Sequence, residues 1–386
     1  MKKKRLLRIT TVPLSLVTLL NGQLKFFQEN NFEVLAVSSK GPEVEQLKTA
    51  GVNHVSISMT RRITPIRDGI ALIRLIFLML KFKPDIVHTH TPKAGLLGMI
   101  AAWICRVPVR LHTIAGLAWI ESNGFKRWLL KLMEHTTYTC ANKVYPNSLK
   151  LLQFLQTEMK YELNKTIVLG RGSSNGIDSE YFKPGAELQK QAREIRKKNL
   201  IPENEFVFSF VGRVVRDKGV VELVEAFIEL NKTHTAWLFM VGNFEPDLDP
   251  VPPNILDIFK SNNRIILPGF QRDVRPWLLA SDVFVLPSYR EGFPNVVLQA
   301  SCLQLPCIVS NINGCNEIIQ DGSSGILVPA KNSNALKDSM QFLLENPAKR
   351  IEFGLAAREF VAGNFNQQFV WHEWLKEYNN MVSLSG

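Results

Sequence analysis

The sequence predicts an α/β protein of two doubly wound domains, on three observations. First, 386 residues exceed what one hydrophobic core organises, since single cores stop growing near roughly 250 to 300 residues. Second, short β-branched and aromatic runs alternate with helical stretches along the chain, the pattern of parallel strands joined by crossover helices. Third, a Gly- and Ser-rich segment, Gly170 to Gly176, divides that alternation in two. Apolar residues at 46% and charged residues at 21% exclude a disordered chain and a polytopic membrane protein.

Taken in order, the first half offers strands at Leu6 to Thr11, Phe32 to Val37, Val55 to Ser58, Asp85 to His88, Val109 to Leu111, Lys143 to Tyr145 and Thr166 to Leu169. After the Gly-rich break, Lys183 to Lys198 reads as a polar helix. Strands are expected again at Phe206 to Val211, Ala236 to Val241, Arg264 to Leu267, Val283 to Leu286, Cys307 to Ser310 and Ile326 to Val328. Asn346-Pro347 opens two last helical stretches, in which Trp371, Trp374 and Tyr378 share one face by their spacing of three and four. The expected division is 1–175, 176–364 and a C-terminal helix over 365–386.

Charge separates the halves. Residues 1–175 carry 25 Lys and Arg against 10 Asp and Glu, while residues 176–386 carry 21 against 25, balances of +15 and −4. A basic half suits nucleic acid, an anionic bilayer surface or a phosphorylated substrate. Nucleic acid is set aside because the basic residues are scattered and not interleaved with aromatics. The five cysteines, Cys105, Cys140, Cys302, Cys307 and Cys315, fit no zinc, haem or disulfide pattern, which points to a reducing compartment. Arg8 and Pro13 interrupt the apolar stretch after Met1, so a signal peptide is not expected. Gly69 to Leu80 and Gly95 to Cys105 fall short of the roughly 20 residues that span a bilayer.

Two segments of the second half carry chemistry. Asp282 to Gln299 reads as strand, loop and helix, and its loop holds Glu291-Gly292-Phe293-Pro294 at the C-terminal edge of a parallel sheet, where open α/β sheets bind ligands. Phe206 to Val211 leads into Gly212-Arg213 and on to Lys218-Gly219, so Arg213 and Lys218 can bracket a phosphate chain. The plainer readings are an exposed loop Glu, a solvated Lys and a surface ion pair. His88 and His90 face one side of a strand without a nearby third ligand, and Asp247-Leu-Asp249 sits between prolines, so no metal site is expected. Neither a dinucleotide fingerprint nor a P-loop is present.

These residues carry a resemblance. Gly212-Arg213 with Lys218-Gly219, the Glu291-Gly-Phe-Pro294 loop and Asn313-Gly314-Cys-Asn-Glu317 together resemble glycosyltransferase family 4, and Asp85 to Gly95 and Val109 to Thr113 resemble its first-domain strands. The resemblance implies the GT-B fold: two Rossmann-like domains facing a cleft, an acceptor-binding one and a nucleotide-sugar-binding one, with C-terminal helices crossing back to the first. It is closest to the branch extending lipid-linked oligosaccharides in bacterial surface polysaccharide or glycoprotein synthesis. Implied, then, is a retaining hexosyltransferase-type enzyme using a UDP-linked sugar donor, with no cofactor. Its alternatives are a GT-B epimerase and a nucleotide-sugar-binding protein without turnover.

By the same resemblance Arg213 and Lys218 hold the donor diphosphate, Glu291 meets the sugar hydroxyls, and amides near Gly292 and Phe293 lie beside the sugar. His112, just past a first-domain strand, approaches the sugar from across the cleft. The family's second Glu, a ribose contact, is Gln299 here, and the paired-glycine loop after the first strand is replaced by Thr10 to Ser15. A lipid-diphosphate-linked saccharide acceptor places the enzyme in the cytoplasm, peripheral at the inner face of the membrane. Lys2, Lys3, Lys4, Arg5, Arg8, Arg61, Arg62 and Arg67 are expected to meet the anionic membrane surface, and Lys93, in a loop after the His90 strand, the acceptor phosphates.

Overall fold

The computed structural model describes residues 3–60, 62–117, 119–120, 122–159, 165–246 and 249–385. The chain divides into two units, Met1–Gly176 with Gln367–Gly386, and Ile177–Asn366. The first unit runs β1 (Lys4–Ile9), α1 (Pro13–Leu19), α2 (Gln23–Glu29), β2 (Phe32–Ser38), α3 (Val44–Thr49), β3 (Asn53–Ser56), α4 (Pro65–Phe82), β4 (Ile86–His90), α5 (Pro92–Ile104), β5 (Val109–Ile114), α6 (Gly124–Cys140), β6 (Lys143–Pro146) and α7 (Leu149–Met159). The second runs α8 (Ala186–Lys198), β7 (Phe206–Val211), α9 (Val220–Leu230), β8 (Ala236–Val241), α10 (Pro253–Ser261), β9 (Ile265–Gly269), α11 (Arg275–Leu279) and β10 (Val283–Leu286). It continues through α12 (Asn295–Cys302), β11 (Cys307–Ser310), α13 (Cys315–Ile318), β12 (Gly325–Val328), α14 (Ser333–Glu345) and α15 (Pro347–Asn364). The last helix, α16 (Gln367–Ser385), belongs to the first unit.

Both sheets are parallel and six-stranded, with the orders β3-β2-β1-β4-β5-β6 and β12-β11-β10-β7-β8-β9. Each order reverses once, between β1 and β4 and between β7 and β10. Open α/β sheets bind ligands at that reversal, outside the carboxyl ends of the strands. Strands buried on both faces form near-continuous apolar runs in the second sheet, as in β10, where all four residues of Val-Phe-Val-Leu are buried.

Helices cover both faces of the first sheet. On one, α5 packs between α4 and α6, and Ala71, Leu75 and Met79 of α4 enter a core with Leu7, Val87 and Met99. On the other, α1, α2 and α16 meet around Leu16, Phe27, Trp371, Trp374 and Tyr378. The aromatic face read from the spacing in α16 is thus the one that packs, and each of its large buried side chains contributes roughly 2–3 kcal/mol. Trp371 Nε1 also donates to Asn175 Oδ1 at 2.7 Å, which ties α16 to the Gly-rich segment.

Two local expectations are corrected. Thr166 to Leu169 is no strand: Thr166 makes a single bridge to Val144, and the chain turns away at Gly170 before a ladder forms. β5 runs to Ile114, because Thr113 and Ile114 pair with Tyr145 and Pro146, so His112 lies within the strand and not past it.

Candidate functional site

The second unit gathers its charged side chains at the reversal between β7 and β10. The loop after β7 ends in a single 3-10 turn, Arg216–Lys218, and then Gly219 at φ 70° opens α9. A Cβ at Gly219 would stand 2.0 Å from the Pro287 carbonyl oxygen, so only glycine lets this loop lie against the loop after β10. The Tyr289 amide donates to the Asp217 carbonyl at 2.9 Å, locking the two loops together. This contact brings Lys218 to Glu291. Lys218 Nζ donates to Glu291 Oε1 at 2.5 Å, and Ser288 Oγ donates to the same oxygen at 2.7 Å.

Three of the cations here, Arg213, Lys218 and Arg290, are met by carboxylates. Arg213 Nη1 donates to Glu245 Oε2 at 3.0 Å, and Arg290 Nη2 to Asp217 Oδ2 at 3.0 Å. Side chains of Lys218 and Glu291 are 15% and 14% exposed, so their attraction works in a medium far less polar than water, and removing either would strand the other. Tyr289 donates to Glu222 at 2.7 Å; burial, then Glu222, holds its phenol protonated well above the ordinary range. An anion that took the place of Glu291 or Glu245 would leave the cations paired. A diphosphate is such an anion.

Gly292 and Phe293 lie buried in the same loop, with the Phe293 ring 5.2 Å from that of Phe365. Pro294 stands at the N-cap of α12, outside the helix, and provides no side-chain hydrogen bond to its first turn. Gln299 follows in the second turn, half-buried. Of the Asp247-Leu-Asp249 motif, Asp247 lies outside the described residues, and Asp249 Oδ2 accepts the Asp217 amide at 2.6 Å. Among the described residues no group of three or more His, Cys, Asp or Glu is placed to hold a metal ion. All five cysteines are free thiols.

In the first unit, His112 is 2% exposed and stands opposite Thr89 of β4, whose Oγ1 lies 2.8 Å from its Nδ1. Burial drives its pKa down to about 3, so the ring is neutral near pH 7 and presents one donor and one acceptor. Lys93 is not in a loop: Pro92 starts α5, and Lys93 sits in its first turn, 6% exposed, donating to Asp68 and, at 2.7 Å, to the Arg62 carbonyl.

Sequence reasoning missed the centre of this unit. Arg8 is fully buried in β1, with no carboxylate among its hydrogen-bond partners; it donates to His88 Nδ1 at 2.5 Å, to Tyr378 Oη and to Gln23 Oε1. A guanidinium cannot accept, so His88 Nδ1 must, and His88 Nε2–H then donates to Thr113 Oγ1 at 2.7 Å. His90 stacks on His88 at 4.3 Å. Burial first, and then the charge of Arg8 among nearby groups, keeps both histidines neutral. Arg8 therefore anchors α16 and meets no membrane. A lone cation inside the apolar strand Leu6-Leu7-Arg8-Ile9 was the available signal.

Two parallel six-stranded Rossmann-like sheets are the two domains of a GT-B glycosyltransferase, and comparison with known proteins agrees. The profile of "Glycosyl transferases group 1" matches residues 191–360, and that of the "Glycosyl transferase 4-like domain" matches residues 25–172. The chain is 33% identical over 386 residues to the capsular polysaccharide biosynthesis glycosyltransferase CapM of Staphylococcus aureus, covering 100% of this chain and 99% of that one. It is 31% identical over 373 residues to the Escherichia coli UDP-Gal:alpha-D-GlcNAc-diphosphoundecaprenol alpha-1,3-galactosyltransferase, covering 93% and 94%. Anabaena HepE, solved with UDP and glucose, superposes with a TM-score of 0.82 at 16% identity, over 98% of this chain and 100% of that chain. The chain belongs to the group 1 glycosyltransferases.

Proposed function

We propose that this enzyme, as a member of glycosyltransferase family 4, moves a sugar with retention at the anomeric carbon from a UDP-linked donor to a lipid-diphosphate-linked saccharide. The product would enter surface polysaccharide or glycan synthesis, and the work would be done at the inner face of the cytoplasmic membrane. The observation that carries the reading is the convergence of Arg213 and Lys218 on the β7–β10 reversal, each held by a carboxylate that a diphosphate can replace. The names of the two relatives, one acting on a diphosphoundecaprenol-linked sugar, support the acceptor class.

In this reading the bond between the anomeric carbon and the donor phosphate breaks with its electron pair on the leaving diphosphate. Arg213 and Lys218 meet that growing charge, and preorganised groups of this kind are worth several kcal/mol to a transition state. An acceptor hydroxyl forms the new bond to the anomeric carbon and gives its proton to the leaving diphosphate. Glu291 is assigned to the hydroxyls of the transferred sugar, His112 and the amides near Gly292 and Phe293 to positions beside that sugar, and Gln299 to the ribose. Lys93 is assigned to the acceptor phosphates, for which it must exchange Asp68.

The test is thermal stabilisation by UDP, GDP and ADP sugars, followed by release of the nucleoside diphosphate with and without a lipid-diphosphate saccharide. Stabilisation by UDP sugars and acceptor-dependent release of UDP are expected. Stabilisation without release would leave a binding protein, and no response to any UDP sugar would sink the donor assignment.

A further inference from the structure

We propose that the surface formed by α4, α5 and α6 is the face by which this protein docks on an anionic lipid bilayer, laying an apolar row into the interface beside a row of basic residues. The inference rests on the reading above that the acceptor is lipid-linked, and it replaces the amino-terminal basic cluster, whose Arg8 is buried, as the place of contact.

A helix needs one apolar stripe to hold it to its sheet. In α4 that stripe is Ala71, Leu75 and Met79. The helix carries a second row on its outer side. Ile66, Ile70, Ile73, Phe77 and Leu80, spaced alternately by four and three, are 83%, 49%, 54%, 68% and 55% exposed. Next to them Arg67, Arg74 and Lys81, seven apart, form a parallel line of exposed cations. The one acid of α4, Asp68, is committed to Lys93.

The neighbouring helices continue the surface. α5 ends in exposed Trp103 and Ile104, followed by exposed Arg106. α6 exposes Phe125, Trp128 and Leu132, with the first two rings stacked at 5.6 Å, among Lys126, Arg127 and Lys131. Its one acid, Glu134, is buried. Among the described residues, ten of the 22 exposed large apolar side chains lie on these three helices, which makes a patch and not the usual scatter.

Charge selects the occupant. A second copy of the chain pressed face to face would set Arg67, Arg74 and Lys81 against their own images. An anionic leaflet satisfies both the cations and the apolar row, and exposed Trp and Phe suit the headgroup boundary. No described helix is long and apolar enough to cross a membrane, so α4 lies in the interface.

The experiment is flotation of the full chain with vesicles of phosphatidylglycerol and phosphatidylcholine, and of phosphatidylcholine alone. Wild type should float with the anionic vesicles. Each basic residue near such a surface is worth about fivefold, so the Arg67→Gln, Arg74→Gln, Lys81→Gln variant should bind on the order of a hundredfold more weakly at low salt, a gap that closes as salt rises. The Ile66→Ser, Ile73→Ser, Phe77→Ser variant should lose binding on the order of a hundredfold at every salt concentration. Both should keep the wild-type thermal shift with UDP and wild-type turnover of a detergent-solubilised acceptor. Wild-type flotation by the Ile66, Ile73, Phe77 variant, equal binding to pure phosphatidylcholine, or a dimer broken by that variant with no vesicle binding would overturn the proposal. Vesicle binding lost in the variants, with turnover absent even in wild type, would uphold the surface and count against the glycosyl-transfer reading alone.

Discussion

Lys218 and Glu291, from the loops on either side of the β7–β10 reversal, are joined by a hydrogen bond of 2.5 Å. A ligand-free site that stores a cation against its own carboxylate must break that pair when a diphosphate arrives. Glu291→Gln removes the competing charge while keeping the shape. UDP should then bind several-fold tighter, since tenfold corresponds to about 1.4 kcal/mol, whereas sugar transfer should fall by about a hundredfold or more. Calorimetric titration with UDP alongside steady-state turnover reads both, and weaker UDP binding in this variant would show that Glu291 does not compete for Lys218.

Gly219 is where backbone geometry and charge meet. Alanine there must tolerate φ 70° and a Cβ 2.0 Å from the Pro287 carbonyl. Gly219→Ala should cost about 2–4 kcal/mol of unfolding free energy in the second unit and abolish UDP binding, because the loops bearing Lys218 and Glu291 can no longer touch. Urea unfolding with and without UDP measures it; an unchanged midpoint would contradict the tight approach.

His88, His90 and His112 are buried and neutral, with His112 lowered to about 3. In the unfolded chain they take up protons near pH 6.5, so as pH falls the unfolded state gains protons first. Their contribution is therefore complete above about pH 6.5 and drains away below it, at up to about 1.4 kcal/mol per pH unit for each histidine. Urea midpoints between about pH 6.5 and 5 should fall steeply in wild type and less steeply in His112→Gln.

Glu134 has the opposite sign. Burial, partly offset by a hydrogen bond from Tyr138, lifts its carboxyl to about 7. A raised acid contributes fully below its unfolded value of 4.5 and loses that contribution as pH rises toward 7. Glu134→Gln should stabilise the protein by up to about 3 kcal/mol above pH 7 and make no difference near about pH 4.5. Thermal unfolding at the two pH values checks it, and a destabilised variant at the higher pH would mean that the carboxylate is charged and paired.

The parallel strands, the enzyme class and the packing face of α16 were legible because strands buried on both faces leave near-continuous apolar runs, while Trp371, Trp374 and Tyr378 repeat at helical spacing. Arg8 was misread as a surface cation, since a buried arginine without a carboxylate depends on partners 15, 80 and 370 residues away. The outer row of α4 was hidden within a stretch read only for its length. Splitting that stretch into Ala71-Leu75-Met79 and Ile66-Ile70-Ile73-Phe77-Leu80 exposes two apolar faces where one suffices. Glu245 was out of reach because only the fold brings it to Arg213, whereas Ser288 lies three residues before Glu291 in the same loop.

The central claim is that Arg213 and Lys218 hold the donor diphosphate at the edge of the second sheet. Calorimetric titration of UDP into wild type, Arg213→Ala and Lys218→Ala tests it most directly, with circular dichroism melts confirming the fold. Each variant should lose at least about tenfold in UDP affinity, an effect that shrinks as salt rises; Arg213→Ala should melt near wild type, and Lys218→Ala should melt lower, because Glu291 loses its partner, while still unfolding cooperatively. Wild-type UDP affinity in both variants would contradict the account and move the nucleotide to another part of the chain.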